Sequence, residues 1–418
     1  MNELATITVW VLVGLVILQA LPALAFTSLF RSPSPKITSD DPLPKVAVVL
    51  CLRGADPFLA DCIRALLNQD YPQYKVHIVI DSRSDPAWKI VQEVIQQTGA
   101  THIQVSPLAT KYESCSLRCS ALFQAISGLD DSYEVVAMVD ADVVTYPNWL
   151  RELVVPLADE RVGATTGNRW YMPQTDQWGS LVRYLWNSAA VVTMYVHKYA
   201  WGGSIAIKLS VLRRARLLET LTQVLCDDPF VGRATQELGL KLKFVPTVMM
   251  VNREECDLGN CLRFLTRQHL WGRYQRSWLA IVVQVSITTL ALVLATALLL
   301  IALVSGHFSA ATLFGGGFIG YILAMGLLLA LSEQGVRRVV QARGEPTTRF
   351  SALVMAKMLV AIPLTQLVCA VAMVSAMLMR SFEWRGVVYQ IKGLWNVRLV
   401  KYLPYQPSSQ PVDTNASL

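Results

Sequence analysis

The chain has 418 residues, 53% of them hydrophobic and only 16% charged, with a formal net charge of +7. Such a composition is too apolar for an ordinary water-soluble protein and points to membrane segments. The positive charge does not indicate nucleic acid, because no basic cluster interleaved with aromatics lies in the polar part of the chain; attraction to anionic lipid headgroups accounts for it.

The first element, Ala5 to Phe30, is apolar and long enough to cross a hydrocarbon layer of about 30 Å. Ala23-Leu24-Ala25 imitates a signal-peptide cleavage site, yet Met1 to Trp10 carries no Lys or Arg, so residues 1–30 read as an uncleaved anchor. Residues 31–44, with Ser32-Pro33-Ser34-Pro35 and Pro42-Leu43-Pro44, read as a linker. A polar domain follows over 45–257. Its expected strands are Val46 to Leu52, Val76 to Ile80, Ile103 to Val105 and a run ending at Val139. Helical stretches from Pro57 to Leu67, Pro86 to Gln97 and Ser116 to Ile126 separate them. This alternation predicts a mainly parallel α/β sheet with helices on both faces. Leu52-Arg53-Gly54-Ala55-Asp56 stands where a glycine-rich phosphate loop would follow the first strand, which argues against NAD and ATP folds.

Val135-Val136-Ala137-Met138-Val139-Asp140-Ala141-Asp142 is an apolar run that ends in two carboxylates one residue apart. Ligands of open α/β sheets bind beyond the carboxyl ends of such strands. A short acidic pair there suffices to hold a hard divalent cation against a diphosphate, although the same pattern also begins turns. Asp81, at the end of the second strand, is expected on the same edge. Leu225-Cys226-Asp227-Asp228-Pro229-Phe230 adds a second acidic pair, which also suits the cap and first turn of a helix running to Leu238. The eight cysteines lack zinc spacing and read as reduced, packed thiols.

Residues 258–278 contain Arg267-Gln268-His269-Leu270-Trp271-Gly272-Arg273-Tyr274, the pattern of an interfacial amphipathic helix. The segments Leu279 to Val304, Leu313 to Leu331 and Leu353 to Met379 then make residues 279–380 a membrane region, followed by a tail over 381–418. Basic residues flanking the polar insert place it in the cytoplasm by the positive-inside rule. The tail is basic too, so Leu353 to Met379, with Pro363 inside it, is expected to be a re-entrant or interfacial hairpin that returns the tail to the cytoplasm.

In this order, an early Asp, a D-x-D, an acidic pair and an Arg/Trp cluster before membrane segments, the chain resembles the family 2 glycosyltransferases and within them the ceramide-glucosyltransferase-like membrane enzymes. Phe382-Glu383-Trp384-Arg385-Gly386 is similar to a short Trp-Arg-Gly segment near the C-terminus of those proteins. The resemblance implies a GT-A-type, Rossmann-like domain with an N-terminal anchor and C-terminal transmembrane or interfacial helices. It implies that Asp81 lines the nucleotide's base and ribose and that Asp140 and Asp142 hold Mg²⁺ or Mn²⁺ and the diphosphate. Asp228 is implied as the catalytic base, with Asp227 beside it on the acceptor side. Arg118 matches a basic position near the donor, and Trp201-Gly202-Gly203-Ser204 resembles a Gly/Ser turn in the acceptor half. The (Q/R)xxRW motif departs from the pattern: Arg267 and Trp271 match, Leu270 replaces the second Arg, and Arg273 stands as the displaced cation.

The implied reaction is inverting transfer of a hexose from a nucleotide-diphosphate sugar, a UDP-sugar, to a lipid acceptor hydroxyl such as that of ceramide, diacylglycerol or a polyprenyl phosphate, at the cytoplasmic membrane face. A processive polysaccharide synthase is the alternative within the enzyme class, and a catalytically silent membrane scaffold the alternative outside it. Nucleic acid is not an expected partner.

Overall fold

The computed structural model describes residues 1–31, 43–393 and 395–405. Residues 32–42 of the linker expected over 31–44, and the tail beyond Tyr405, therefore lie outside the described residues. In chain order the elements are α1 (Asn2–Ser28), β1 (Val46–Leu52), α2 (Leu59–Leu67), β2 (Tyr74–Ile80), α3 (Pro86–Thr98), β3 (Ile103–Pro107), α4 (Leu117–Ser127), β4 (Val135–Val139) and α5 (Trp149–Val154). There follow β5 (Val162–Tyr171), α6 (Trp178–His197), β6 (Ser204–Lys208), α7 (Leu209–Arg214), α8 (Leu217–Leu221), α9 (Asp228–Glu237), β7 (Lys241–Asn252) and α10 (Leu258–Gly272). The chain ends with α11 (Trp278–Val304), α12 (Phe308–Ala342), α13 (Ala352–Leu378), β8 (Ser381–Trp384), β9 (Val387–Gly393) and β10 (Asn396–Tyr402).

These elements form two compact units that do not follow the chain contiguously. One comprises Met1–Pro33, Trp170–His197 and Val251–Leu378; the other comprises Ser34–Arg169, Lys198–Met250 and Met379–Leu418. The unbroken domain expected over 45–257 is thus corrected twice. Helix α6 leaves it for the helical unit, and the C-terminal strands return to it.

The second unit holds a seven-stranded sheet of order β3-β2-β1-β4-β6-β5-β7. The strands expected from sequence are the four parallel ones, β3, β2, β1 and β4. They are Val- and Ile-rich and their central residues are buried, as suits strands covered by helices on both faces. β6 then pairs antiparallel with β4, and β5 antiparallel with β6. From β1 the order runs outward to β3, and the chain returns to place β4 on the other side of β1. The strand order reverses between β1 and β4, the position at which doubly wound sheets open a ligand crevice.

Caps fix the helices that border this crevice. Asp85 accepts from Ala87 N at 2.9 Å as the N-cap of α3, with Pro86 in the first turn. Its carboxylate also accepts from Gly54 N at 2.9 Å, which ties the loop after β1 to α3. Ser116 caps α4 through Cys119 N at 3.1 Å, and the Tyr389 hydroxyl accepts from Leu117 N at 3.1 Å. Two donors of the first turn of α4 are thereby satisfied. The described cysteines are all free, and burial pushes the Cys51 thiol up to about 12, in keeping with reduced, packed thiols.

In the other unit α1, α11, α12 and α13 are each long and apolar enough to cross a membrane. α1 packs along α12, where Ala5 and Phe314 share a core and Gln19 Nε2 donates to the Tyr321 hydroxyl at 3.2 Å. The expected hairpin is corrected: α13 runs unbroken through Pro363. The proline removes one hydrogen bond of the ladder, while α13 stays packed on α6 and α10. The buried Glu333 of α12 accepts from Trp170 Nε1 at 2.5 Å, Tyr184 OH at 2.9 Å and Arg337 Nε at 2.7 Å, so this carboxylate is satisfied.

A Cβ at Gly167 in β5 would fall on the carbonyl oxygen and side chain of Val248 in β7. Gly167→Ala is expected to destabilise the protein by about 1–3 kcal/mol, lowering its unfolding temperature by several degrees in detergent. Gly316→Ala, with nothing within 4 Å of its Cβ, should melt with the wild type. Equal melting of both variants would contradict the close approach of β5 and β7.

Candidate active site

At the end of β4 the chain leaves the sheet, and Asp140 and Asp142 project from the turn that follows. Arg118, one residue inside α4, donates from Nη1 to Asp140 Oδ1 at 2.5 Å. Its Nε donates to Asp227 Oδ1 at 2.8 Å, and its Nη2 reaches Gly202 O at 3.2 Å. One guanidinium therefore ties together the end of β4, the turn before β6 and the residue before α9. Asp142 Oδ2 accepts from Arg169 Nη1 at 2.7 Å, and the Arg169 guanidinium lies over the Trp201 ring at 5.3 Å.

Asp228 opens α9 and is hydrogen-bonded by the Gly202 backbone. A Cβ at Gly202 would strike the Asp228 carboxylate, so a glycine is needed for this approach. Burial, and then the adjacent Asp227 charge, hold the Asp228 carboxyl well above the usual carboxylate range, while Arg118 opposes them. Burial also raises Asp140; Arg118 pulls it back and Asp142 pushes it up. Four carboxylates, Asp140, Asp142, Asp227 and Asp228, thus face two guanidiniums, Arg118 and Arg169. The surplus negative charge favours either a retained proton or a bound cation.

Whether the residues suit a divalent metal is decided by the D-x-D pair. Among the described residues no group of three or more His, Cys, Asp or Glu is placed to hold a metal. Asp142 Oδ1, however, is buried without a hydrogen-bond partner. A buried anionic oxygen in that condition fits a hard cation whose remaining ligands are substrate phosphates and water.

Asp81 lies across the crevice at the end of β2 and is almost fully buried. Arg53, at the end of β1, makes an ion pair with its Oδ2, and the Tyr402 hydroxyl donates to the same oxygen at 2.9 Å. Asp81 Oδ1 has no hydrogen-bond partner. The residues Cys51, Leu52, Arg53, Asp81, Leu108, Leu117, Arg118, Ala121 and Trp384 line a cavity here.

Of the residues expected from sequence, Asp81, Arg118, Asp140, Asp142, Asp227, Asp228 and Gly202 thus border the carboxyl edge of the sheet. Gly203 packs against the Trp201 ring. Ser204 is fully buried as the first residue of β6, where its Oγ accepts from Trp149 Nε1 at 2.8 Å; this bond makes it a core residue. Arg267, Trp271 and Arg273 belong to the helical unit, with Arg267 over the Phe264 ring at 5.7 Å and Arg273 Nη1 donating to Ala376 O at 3.1 Å. Sequence reasoning missed Arg53, Arg169 and Tyr402. Arg53 carried a signal, since a basic residue directly after β1 must share the edge with Asp81; Arg169 and Tyr402 carried none.

The sequence model of Glycosyl transferase family 21 matches residues 7–395. A ceramide glucosyltransferase of Pyricularia oryzae is 39% identical over 83 residues, 18% of this chain and 17% of that protein. A ceramide glucosyltransferase of Gibberella zeae is 39% identical over 72 residues, 16% of this chain and 14% of that protein. The matched stretches thus span less than a fifth of the length of these relatives. Among solved structures, the mannosyltransferase PcManGT from Pyrobaculum calidifontis, in complex with GDP-Man and Mn²⁺, aligns with a TM-score of 0.49 at 14% identity, over 89% of this chain and 99% of that one. The likeness to ceramide-glucosyltransferase-like enzymes read from the motifs is met by these relatives and by the matching family model. Matched over nearly its whole length, the chain belongs to glycosyl transferase family 21.

Proposed function

We propose that the protein is a membrane-bound, inverting glycosyltransferase that moves a hexose from a nucleoside-diphosphate sugar, a UDP-sugar, to the hydroxyl of a lipid. The observation that carries this reading is the acidic cluster at the β1/β4 switch point, which joins a D-x-D with one free buried oxygen to a separate carboxylate, Asp228, of raised pKa. Asp228 takes the proton of the acceptor hydroxyl as its oxygen bonds to the anomeric carbon. The bond from that carbon to the diphosphate breaks on the opposite face, and the leaving group keeps the electron pair. A base whose carboxyl is held above the usual carboxylate range suits such a step. Asp142, helped by Asp140, would hold Mg²⁺ or Mn²⁺, which when bound neutralises charge growing on the departing diphosphate. Asp81 accepts hydrogen bonds from the base or ribose. Gly202 and Gly203 keep their expected place on the acceptor side within this proposal. Among lipid acceptors, the name of the matched relatives favours ceramide over diacylglycerol or a polyprenyl phosphate.

The reading also has a topology. The tail and the acidic site belong to one compact unit, so an even number of membrane crossings separates them. α11 and α12 supply a pair of crossings, which leaves α13 to begin and end on one side. Of the four long apolar helices, α13 is the most buried against protein. Of its most apolar window 44% is buried against protein, compared with 17% in α1, 22% in α11 and 11% in α12. Its ends are also held within the helical unit, by Lys357 on Asp176 at 2.7 Å and by Arg273 on Ala376 O. Flanking basic residues put the shared side in the cytoplasm.

Asp228→Asn should lower transfer by about 10²–10⁴-fold, the usual contribution of a general base, while nucleotide binding stays near wild type. Near wild-type transfer by that variant in lipid vesicles, measured as nucleoside diphosphate released from a panel of nucleotide sugars, would remove Asp228 from the mechanism. Because the protonated carboxyl cannot act as base, the rate should rise with pH through the raised Asp228 pKa; an acid limb within the ordinary carboxylate range would argue against the assignment. In sealed membranes, proteolysis of a C-terminal tag should occur from the same side as proteolysis within the polar unit. Cleavage from opposite sides would make α13 a full crossing.

A further inference from the structure

The C-terminal strands β8 to β10 form an antiparallel sheet of order β10-β9-β8. The turn between β8 and β9 is two residues, Arg385 at φ 49° and Gly386 at φ 77°. Positive φ at both central positions marks the mirror-image hairpin turn, which favours Asn-Gly. An Arg at φ 49° is strained, and such strain persists only where surrounding contacts hold it. Those contacts are present. Arg385 Nη2 reaches Asp56 Oδ1 at 2.5 Å and its Nη1 donates to Arg53 O, while Arg53 Nε donates to Arg385 O at 3.0 Å. The two arginines thus hold each other's backbones, and Arg53 is locked on Asp81.

The same sheet is fastened elsewhere on the polar unit. Leu399 N donates to Glu113 O at 2.7 Å, and the Trp395 ring lies 5.1 Å from the Phe230 ring beside Asp228. Tyr402 donates to Asp81 Oδ2, and its ring sits 5.0 Å from the Arg53 guanidinium and 4.6 Å from Lys111 Nζ. Trp384 lines the cavity with Leu108, Leu117 and Asp81, and the Oδ1 of that Asp81 is buried with no partner. A flat aromatic group, apolar walls and one unpaired anionic acceptor match a heteroaromatic ring that presents an N–H, as the uracil base does.

We infer that the C-terminal sheet is the nucleobase-reading wall of the donor site, with Trp384 in contact with the base and Tyr402 the positioning residue that leaves a single Asp81 oxygen to read it. The inference rests on the nucleotide-sugar reading above and extends it to the tail. The test is calorimetric binding of UDP, GDP and ADP to the full-length protein in detergent, together with donor kinetics. Removing an aromatic platform under a base weakens binding by about 10-fold or more. Trp384→Ala should raise the donor KM by that factor with kcat kept, Trp384→Phe should restore most of it, and the acceptor KM should not move. Tyr402→Phe, which leaves Asp81 Oδ2 to Arg53 alone, should narrow the preference for UDP over GDP and ADP. Wild-type donor KM and base preference in Trp384→Ala and Tyr402→Phe, with UDP still bound by the wild type, would overturn this inference alone. A wild type that binds none of the three nucleotides would overturn the transferase reading and this inference with it.

Discussion

One guanidinium, that of Arg118, is the contact on which the acidic site depends. It joins carboxylates from two distant parts of the chain, Asp140 and Asp227, and reaches the Gly202 carbonyl as well. Without it, Asp227, almost wholly buried, would face Asp140 and Asp228 with no counter-charge from α4. Losing one partner of a buried ion pair costs about 3–5 kcal/mol, because the remaining charge is stranded away from water. Arg118 is in turn held by the caps of α4, where Ser116 and Tyr389 satisfy first-turn donors. The guanidinium does not balance the cluster, and with Arg169 it leaves two carboxylates in excess. Burial first, and then this excess, raise the Asp228 carboxyl, and the excess suits Asp142 to a cation.

The polar unit is closed by residues more than three hundred positions from its first strand. β8 to β10 bring Arg385 onto Asp56 and Tyr402 onto Asp81, so the loop after β1 is held from the C-terminal end of the chain. Placing the tail in the unit that carries the site also constrains the helices before it. A tail in that unit requires an even number of membrane crossings among α11, α12 and α13.

Much of this was legible in the sequence, for physical reasons that also mark its limits. The parallel strands β1 to β4 were readable because burial on both faces demands continuous apolar runs, and Asp81, Asp140 and Asp142 followed from their positions at strand ends. β5 was not, since Val162–Tyr171 carries Thr165, Thr166, Gly167 and Asn168 through its centre and shows neither a run nor an alternation. Arg169 was hidden with it. α6 was absorbed into a domain it does not join, because local periodicity says nothing of which core a helix packs on. Asp227 and Asp228 were legible as a helix start, while the bond from Arg118 that gives them a joint role depends on tertiary placement. Arg385 was noticed as one of the basic tail residues and through a family likeness, and its strained φ and its grip on Asp56 have no signature in the sequence.

On the proposed reading, the surplus carboxylates at the β1/β4 switch point would complete a cation site only together with a diphosphate. Titrating Mn²⁺ into the purified protein, with electron paramagnetic resonance counting free ion, tests it directly in the presence and absence of UDP. Weak binding alone, tightening at least about tenfold with UDP and vanishing in Asp142→Ala, is the predicted result, because two carboxylates leave most of the coordination sphere to phosphate and water. Mn²⁺ binding that ignores UDP, or that survives Asp142→Ala unchanged, would contradict it.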